Sequence, residues 1–307
     1  SGIVPNDAET PDIERKLDWI RLTDAIEAGH RLPRAEVKDS LLYRGKDTML
    51  TRSAWIDGMG LAVKAATVFP GNRAKGKPTI HGVLSLLSDT DGELEAIVDF
   101  GLVTKWKTAG DCLLAARKLA RPDAHLILIV GAGAVARSMV EAYSAAFPHS
   151  EFMVWARDAA KARAFAERTG AAMAPDLAAA AREADIIATA TMTREPLIRG
   201  EWLKPGVHLD LIGAYSPEMR EADSECFRRA SVFVDARATT IEHIGELMAP
   251  IAEGVIKPSD VRGDFYDIES GAFGRTHDDE ITLSKNGGGA HLDLMTARYI
   301  LDTALAQ

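Results

Sequence analysis

The sequence predicts an α/β protein of two domains, in which a parallel sheet covered by helices follows a smaller α+β domain. Three observations lead to this fold class. The chain has 307 residues, 47% of them apolar, enough for two domains of ~100–200 residues with buried cores. An apolar–polar alternation of period two occupies residues 63–100. Beyond residue 121, short apolar runs alternate with alanine-rich helical patterns.

The first domain begins with a helical pattern over residues 14–41. Gly29 and Pro33 interrupt it, so we expect two short helices there. The runs VKAATVF, TIHGVLSLL and ELEAIVDF then alternate with period two, which predicts an antiparallel meander. Residues 104–120 predict a helix, and Arg121-Pro122 ends it.

The second domain consists of strands separated by helices, a pattern that calls for a parallel sheet covered on both faces. A final helix at about residues 291–305 is expected to return and pack on the first domain. The strands are expected at residues 126–130, 152–156, 185–191, 208–214, 231–236 and 281–285.

Charge and cysteine content exclude several classes of protein. The formal net charge of −9 has the wrong sign for binding nucleic acid or an anionic membrane. Two cysteines, Cys112 and Cys226, cannot form a disulfide framework. No apolar run reaches the ~18 residues of a spanning helix, and no signal-peptide pattern opens the chain. We therefore expect a reduced, cytoplasmic protein that contacts neither nucleic acid nor membrane.

The strongest local motif is IVGAGAVARSMV, which follows a predicted strand and begins a predicted helix. Gly131, Gly133 and Ala136 form G-x-G-x-x-A. The first glycine permits the turn, the second admits a pyrophosphate, and the small third residue lets helix and strand pack closely. The phosphates would lie at a helix N-terminus. In this context the motif predicts a Rossmann dinucleotide-binding domain.

The end of the second strand of this domain bears on cofactor choice. NAD-binding chains usually carry an acid there for the ribose 2′-hydroxyl, whereas this chain reads Ala156-Arg157-Asp158. Arg157 favours a 2′-phosphate, so NADPH is expected to be preferred, with NADH as the second option. The alternative is that Arg157 is a solvated residue and that Asp158 only caps the next helix.

Other kinds of site have little support. Residues 71–77, GNRAKGK, match most of a phosphate loop, but Pro78 stands where Ser or Thr would bind magnesium, and a strand follows. The motifs HExxH, paired CxxC and GxSxG are absent from the sequence, and its eight histidines are scattered. We expect neither a kinase-type loop nor a metal site.

Seven segments, in the expected order and covering most of the chain, resemble the ornithine cyclodeaminase and μ-crystallin family. They are KAATVFPGN from Lys64, the strand after Pro78, SDTDGELEAIVD, TKWKTAGD followed by LARPDA, GAGAVA, IGAYSPEMREAD and ITLSKNGGGAHLD. Each segment alone is a modest match. Seven in register identify the chain as a member of this family.

The resemblance implies a domain layout and residue roles. Residues 14–120 with 290–307 would form the substrate and dimerisation domain, and residues 121–289 the Rossmann domain, with the substrate between them and the chain a homodimer. Arg44, Lys64 and Lys107 would hold the substrate carboxylate, although the family more often has Arg at the last position. Apart from the resemblance, Lys64 is the candidate proton donor for the imine, since it is expected to lie close to other cations. The residues expected to contact the cofactor are Thr79, Gly131, Gly133, Ala134, Val135, Arg157, Thr189, Thr191, Ile212, Asn286 and Gly287.

The three cations also suit an anionic substrate on chemical grounds, since ammonium and guanidinium groups bind carboxylates through charge-assisted hydrogen bonds. The alternative is three surface bases.

One departure from the family pattern narrows the activity. Ornithine cyclodeaminases carry an acid after an Ile-Gly-Gly, where it activates the amine that closes the ring, whereas this chain reads Ile212-Gly213-Ala214-Tyr215. A tyrosine at neutral pH cannot replace that carboxylate. Relatives with an aromatic residue there resemble reductases of cyclic imino acids.

The expected activity is NAD(P)H-dependent reduction of Δ1-pyrroline-2-carboxylate or Δ1-piperideine-2-carboxylate to L-proline or L-pipecolate. The alternatives are an amino-acid dehydrogenase, such as alanine dehydrogenase, and a noncatalytic μ-crystallin-like binding protein.

Overall fold

A 20-residue helix, Phe100–Leu119, runs through the point at which the chain divides into two compact units. The computed structural model describes residues 2–3 and 12–306. Unit 1 comprises the residues up to 107 and those from 289 onward, and unit 2 comprises residues 108–288. We expected the division after residue 120, but the junction is helical rather than a loop. The helix begins earlier than residue 104 because the Asp99 carboxylate caps it, accepting from the Leu102 N–H at 2.7 Å.

Unit 1 is built on a sheet with the strand order β1–β6–β5–β4–β3–β2, antiparallel except for the pairing of β1 with β6. The strands are β1 Gly2–Ile3, β2 Glu36–Arg44, β3 Asp47–Ile56, β4 Gly60–Val68, β5 Ile80–Leu87 and β6 Leu94–Val98. The helices of this unit are α1 Trp19–Gly29, the start of α2 Phe100–Leu119, and the last helix of the chain, α9 Ala290–Leu305.

The meander and the first helix are confirmed, but the prediction of a second helix before residue 41 is wrong. That segment forms β2, which pairs with β3 in antiparallel register from Glu36↔Trp55 to Arg44↔Asp47. Gly45, at a φ of +60°, permits the tight hairpin turn. The helical spacing was accidental because every residue of β2 is exposed, so none of its apolar side chains contributes to a buried helical face.

Helix α9 closes unit 1. It contacts α1 and strands β2–β6 of the sheet. Leu292 and Leu294 are fully buried, and Trp19 of α1 stacks on Trp106 with ring centroids 3.7 Å apart. The last helix therefore packs on the first domain, as predicted, and contributes buried side chains to the core of unit 1.

Unit 2 is built on a parallel sheet with the strand order β13–β12–β14–β11–β10–β7–β8–β9. Its strands are β7 Leu126–Val130, β8 Glu151–Trp155, β9 Ala172–Met173, β10 Ile186–Thr189, β11 His208–Leu211, β12 Ser231–Val234, β13 Val261–Gly263 and β14 Thr282–Lys285. Its helices are the rest of α2, α3 Ala134–Ala146, α4 Ala159–Thr169, α5 Leu177–Glu183, α6 Ser224–Arg229, α7 Arg237–Thr240 and α8 Gly245–Ala252.

All six predicted strands of this domain are present. Strands β9 and β13 were missed because two or three residues are too short to show a period. The strand order reverses between β7 and β10, and in doubly wound sheets ligands bind at the carboxyl ends beside such a reversal. No helix within the described residues is long and apolar enough to cross a membrane.

The Arg275 side chain ties three segments of unit 2 together. Its guanidinium donates to the carbonyl oxygens of Leu119 at the end of α2 and of Gly206 before β11, both at 2.9 Å. It also donates to the carbonyl oxygen of Glu280 before β14. Because the planar guanidinium carries five N–H donors, this one side chain can bind all three carbonyl oxygens.

We expect Arg275→Met to lower the free energy of unfolding by about 2 to 4 kcal/mol, because half-buried carbonyl groups lose a charged donor. Urea denaturation followed by circular dichroism measures this change. The matched control is Arg228→Met on α6, whose side chain is 63% exposed. Equal losses for the two variants would show that Arg275 has no special bridging role.

Candidate active site

The glycine loop between β7 and α3 has the geometry that a dinucleotide requires. Gly131 has a φ of +121°, and a Cβ added there would lie 2.6 Å from the carbonyl oxygen of Ala190. Gly133 is exposed at the N-cap of α3, with nothing within 4 Å of the place a Cβ would take. Ala136 is fully buried. The loop therefore leaves open space for a pyrophosphate at a helix N-terminus.

Three further predicted cofactor residues follow the carboxyl ends of neighbouring strands. Thr189 ends β10, Ile212 follows β11, and Asn286 follows β14. In the described part of the chain, the Thr189 hydroxyl and the Asn286 Oδ1 atom are buried without a hydrogen-bond partner. Buried polar groups seldom stay unpaired, so both fit a polar ligand at this edge. Together with the glycine loop, these residues fit a nicotinamide dinucleotide.

Thr191 is held by a residue that sequence reasoning missed, the fully buried Glu221. One oxygen of the Glu221 carboxylate accepts from the Thr191 backbone N–H at 2.8 Å and hydroxyl at 2.6 Å, and the other accepts from the Gly213 N–H at 2.6 Å. Glu246 in turn accepts from the Glu221 and Ala222 N–H groups. Burial first, and then the charge of Glu221, raises the pKa of Glu246. Glu221 thus fixes the ends of two adjacent strands.

Asp235, at the end of β12, fixes the predicted Asn286-Gly287 turn in the same way. Its two oxygens accept from the Gly287 N–H at 2.8 Å and the Gly288 N–H at 2.9 Å. Burial raises the pKa of Asp235, opposed by these hydrogen bonds. In the sequence, Asp235 could have been recognised as a site residue because it is an acid that directly follows a buried apolar strand, in SVFVDA.

The remaining predicted cofactor residues are exposed or lie in unit 1. Arg157 follows β8 with an exposed side chain, and Ala134 and Val135 are exposed in the first turn of α3. Asp158 caps α4, accepting from the Ala160 N–H at 2.9 Å. Thr79 precedes β5 in unit 1. The capping role proposed for Asp158 is therefore correct, and it leaves the Arg157 side chain available to a ligand.

Lys64 of β4 and Lys107 of α2 are brought together in unit 1. Each ammonium forms an ion pair of 2.8 Å with a different oxygen of Asp293 on α9. The three side chains are only 9%, 10% and 2% exposed. Burial, followed by the charge of Lys107, lowers the pKa of Lys64 to about 8. Burial would raise the pKa of Asp293, but the two lysines outweigh it and hold the pKa below its usual value. The cluster carries one net positive charge.

The structure places Arg44 differently from these lysines. Its guanidinium is 82% exposed at the end of β2 and, among the residues that the structure describes, pairs with Asp47 at 3.3 Å. The cation beside the lysine pair is instead Arg52 of β3, whose backbone lies opposite Lys64 and whose side chain pairs with Asp39 at 3.2 Å. Sequence reasoning missed Arg52 because β3 itself was not predicted.

Within residues 12–306, no group of three His, Cys, Asp or Glu side chains is arranged to hold a metal ion. Tyr215, which stands where cyclodeaminases carry an acid, is 66% exposed in the segment after β11.

The ornithine cyclodeaminase/mu-crystallin family model matches residues 43–307. The chain belongs to this family. The match includes the glycine loop, both lysines of the cluster and Asp293.

Several known proteins are similar to this chain over nearly its whole length. The Delta(1)-pyrroline-2-carboxylate reductase of Paracoccus denitrificans is 50% identical over 296 residues, which cover 94% of each protein. The enzyme of the same name from Thermococcus litoralis, solved with NADH and L-proline, has a TM-score of 0.85 and 26% identity, covering 96% of both chains. An archaeal alanine dehydrogenase dimer with bound NAD also has a TM-score of 0.85, with 27% identity and coverage of 96% and 94%. The predicted family and fold class are confirmed.

We expect Glu221→Gln to raise the Kd for NADPH by roughly tenfold, because an amide presents a donor to N–H groups that need acceptors. Fluorescence titration measures the affinity, with Glu225→Gln on α6, whose side chain is 37% exposed and pairs with Arg228, as the control. A lower melting temperature with an unchanged Kd would show that Glu221 acts on stability alone.

Proposed function

We propose that this protein reduces a cyclic imino acid, Δ1-pyrroline-2-carboxylate or Δ1-piperideine-2-carboxylate, to L-proline or L-pipecolate with NAD(P)H. The observation that carries the proposal is the buried Lys64–Asp293–Lys107 cluster with its net positive charge. The likeness to the Paracoccus denitrificans reductase, and to the Thermococcus litoralis structure with L-proline, supports the same substrate class.

The lysine pair supplies the donors for the substrate carboxylate. An ammonium has three donors, and Asp293 takes one from each lysine. The remaining donors of each ammonium are the ones that we propose bind the substrate carboxylate. The exposed Arg44 guanidinium is a proposed third contact, since a long side chain with a 3.3 Å ion pair to Asp47 and a distance of 5.9 Å to the Phe69 ring can turn toward the substrate.

Reduction adds a hydride to C2 of the imine and a proton to its nitrogen. A bound nicotinamide cofactor would supply the hydride. Lys64 is the proposed proton donor: a pKa of about 8 keeps it mostly protonated at neutral pH and makes it a stronger acid than an ordinary lysine. After the transfer, the neutral amine of Lys64 takes a proton from solvent. The protein's main contribution is to hold the ring by its carboxylate.

Two features of the structure bear on which cofactor is preferred and which reaction is catalysed. Arg157 is exposed after β8, and the Asp158 carboxylate is occupied in capping α4. The Arg157 guanidinium can therefore bind a 2′-phosphate, which supports a preference for NADPH. Tyr215 offers no carboxylate to take a proton from the δ-amine of ornithine, which disfavours cyclodeamination.

We also propose that the chain forms a homodimer through the edge strand β2. Val37, Leu41, Leu42 and Tyr43 are 48–71% exposed along this strand. A long edge strand with exposed apolar side chains favours pairing with another chain. The archaeal dehydrogenase dimer of the same fold supports this assembly.

We also propose a cytoplasmic location, which suits two buried cysteines that form no disulfide with each other.

The activity is tested by following NADPH oxidation with a panel of substrates. We expect turnover of the two cyclic imines, with a much lower kcat/KM for pyruvate plus ammonia and no ammonia release from ornithine. Faster turnover of keto acids with ammonia would favour the amino-acid dehydrogenase. Tight imine or product binding without turnover would favour the μ-crystallin-like binding protein.

Matched lysine variants on one helix locate the substrate in this assay. Lys107→Met should lower kcat/KM for the imine by roughly tenfold to a hundredfold. Lys105→Met removes the same charge from an ion pair with Glu14 and should leave kcat/KM within about twofold.

Arg157→Asp should reverse the cofactor preference, because the acid repels a 2′-phosphate and accepts from a ribose 2′-hydroxyl. We expect NADPH to lose roughly tenfold to a hundredfold in kcat/KM. Arg163→Asp on the exposed face of α4 makes the same charge change away from the strand end. Equal kcat/KM for NADPH and NADH in the parent protein would contradict the assignment.

A further inference from the structure

One carboxylate from the last helix separates two buried ammonium groups that come from earlier parts of the chain. Lys64 contacts Asp293 Oδ2 and Lys107 contacts Asp293 Oδ1, both at 2.8 Å. Because the two nitrogens are bound to the same carboxylate, two like charges lie close together where water hardly reaches them. Such an arrangement is unfavourable unless an anion accompanies it.

Besides Asp293, the charged groups that act most strongly on Lys64 are Lys107 and Arg52, and both are positive. Arg52 of β3 faces Lys64, and together with Lys107 it favours the neutral form of Lys64. Of the charged groups acting most strongly on Lys64, Asp293 is the one that favours protonation.

Two histidines complete these surroundings. His291 precedes Asp293 on α9, and its ring lies 5.6 Å from that of His30 on α1. Burial lowers the pKa of His291 to about 3 and that of His30 to about 4, with smaller contributions from Arg34. Both rings are therefore neutral near pH 7 and cannot balance the lysines.

We propose that Asp293 is a positioning residue that holds Lys64 and Lys107 side by side and keeps Lys64 charged at neutral pH, ready to receive the imino acid. The inference rests on the proposed function and extends it to a residue that need not touch the substrate. Asp293 acts through the lysines: it sets the separation of the two ammonium groups by ion pairing, and its charge favours the protonated form of Lys64.

The consequence is a specific dependence on pH. With Asp293 present, the pKa of Lys64 is about 8, so the charged cluster is lost as pH rises through that value. Without the carboxylate, the repulsion from Lys107 is unopposed and the pKa of Lys64 falls further. The loss of charge then begins at a lower pH. A residue with only a structural role would lower activity by the same factor at every pH.

The test compares Asp293→Asn with the parent protein and with Asp302→Asn, a control on the same helix. Two quantities are measured for each: the pH profile of kcat/KM for the cyclic imine, and the pKa of Lys64 from ¹³C NMR of the lysine ε-carbons, assigned with Lys64→Met.

We expect the pKa of Lys64 to fall by at least about one unit in Asp293→Asn. The ratio of variant to parent kcat/KM would then be within about threefold of unity at pH 6 and roughly tenfold lower at pH 9. Asp302→Asn should match the parent. A ratio independent of pH, or an unchanged pKa of Lys64, would overturn the proposal.

Two further variants keep the proposal testable if Asp293→Asn does not fold. Asp293→Glu retains the charge and should retain the parent midpoint near pH 8 even where kcat falls. Lys107→Met removes the like charge and should raise the pKa of Lys64, and an unchanged value would refute the charge balance. The titration needs no substrate, so a parent protein that fails to reduce imines would refute the proposed function while leaving this test intact.

Discussion

The ion pairs of Asp293 are the constraint on which unit 1 depends. They join β4, α2 and α9, which lie far apart in the sequence, at a point where every participating side chain is at most 10% exposed. Removing one partner from a buried ion pair typically costs about 3 to 5 kcal/mol, because an uncompensated charge stays behind. The helix that closes the core of unit 1 therefore also supplies the carboxylate that balances one of the two lysine charges. The helix that completes the fold also completes the site.

In unit 2, buried carboxylates satisfy buried backbone N–H groups, much as Asp293 pairs with the buried lysines of unit 1. The loops at the carboxyl ends of its strands leave backbone N–H groups without a partner in the sheet, and a buried unpaired group is costly. Glu221, Glu246 and Asp235 accept from these groups, at distances of 2.6–3.1 Å. Because the loops are held from within the protein, the glycine loop and the Thr189 and Asn286 side chains stay available to a ligand.

The sequence predicted the elements whose patterns are local. Buried parallel strands appear as short apolar runs, and the glycine loop follows one of them at a fixed spacing, so both were recognised. The β2 strand was mistaken for a helix because its apolar residues face no core of this chain and carry no reliable period. Pattern reasoning has no information about an apolar surface that is not buried within the chain.

The same distinction, between local patterns and contacts made by the fold, separates the site residues that were predicted from those that were missed. Lys64 and Lys107 were identified through family motifs, but Asp293 and Glu221 were not, since their roles arise from contacts between segments far apart in sequence. An acid in an amphipathic helix resembles any solvated residue until its burial is known. Conversely, Arg44 was grouped with the lysines by motif, and the structure gives it a different environment, largely exposed and paired with Asp47.

This difference in burial has a chemical consequence for the substrate. A buried, pre-positioned ammonium pair gives up little freedom on binding a carboxylate and interacts with it in a medium that screens charge weakly. An exposed guanidinium must order a long side chain and compete with water and salt for the same contact. The lysine pair is therefore expected to set the orientation of the imine ring, while Arg44 contributes to capture. Since Tyr215 supplies no second carboxylate, the proposed site would hold and protonate an imine without deprotonating an amine, and that asymmetry would separate reduction from ring-closing deamination within one fold.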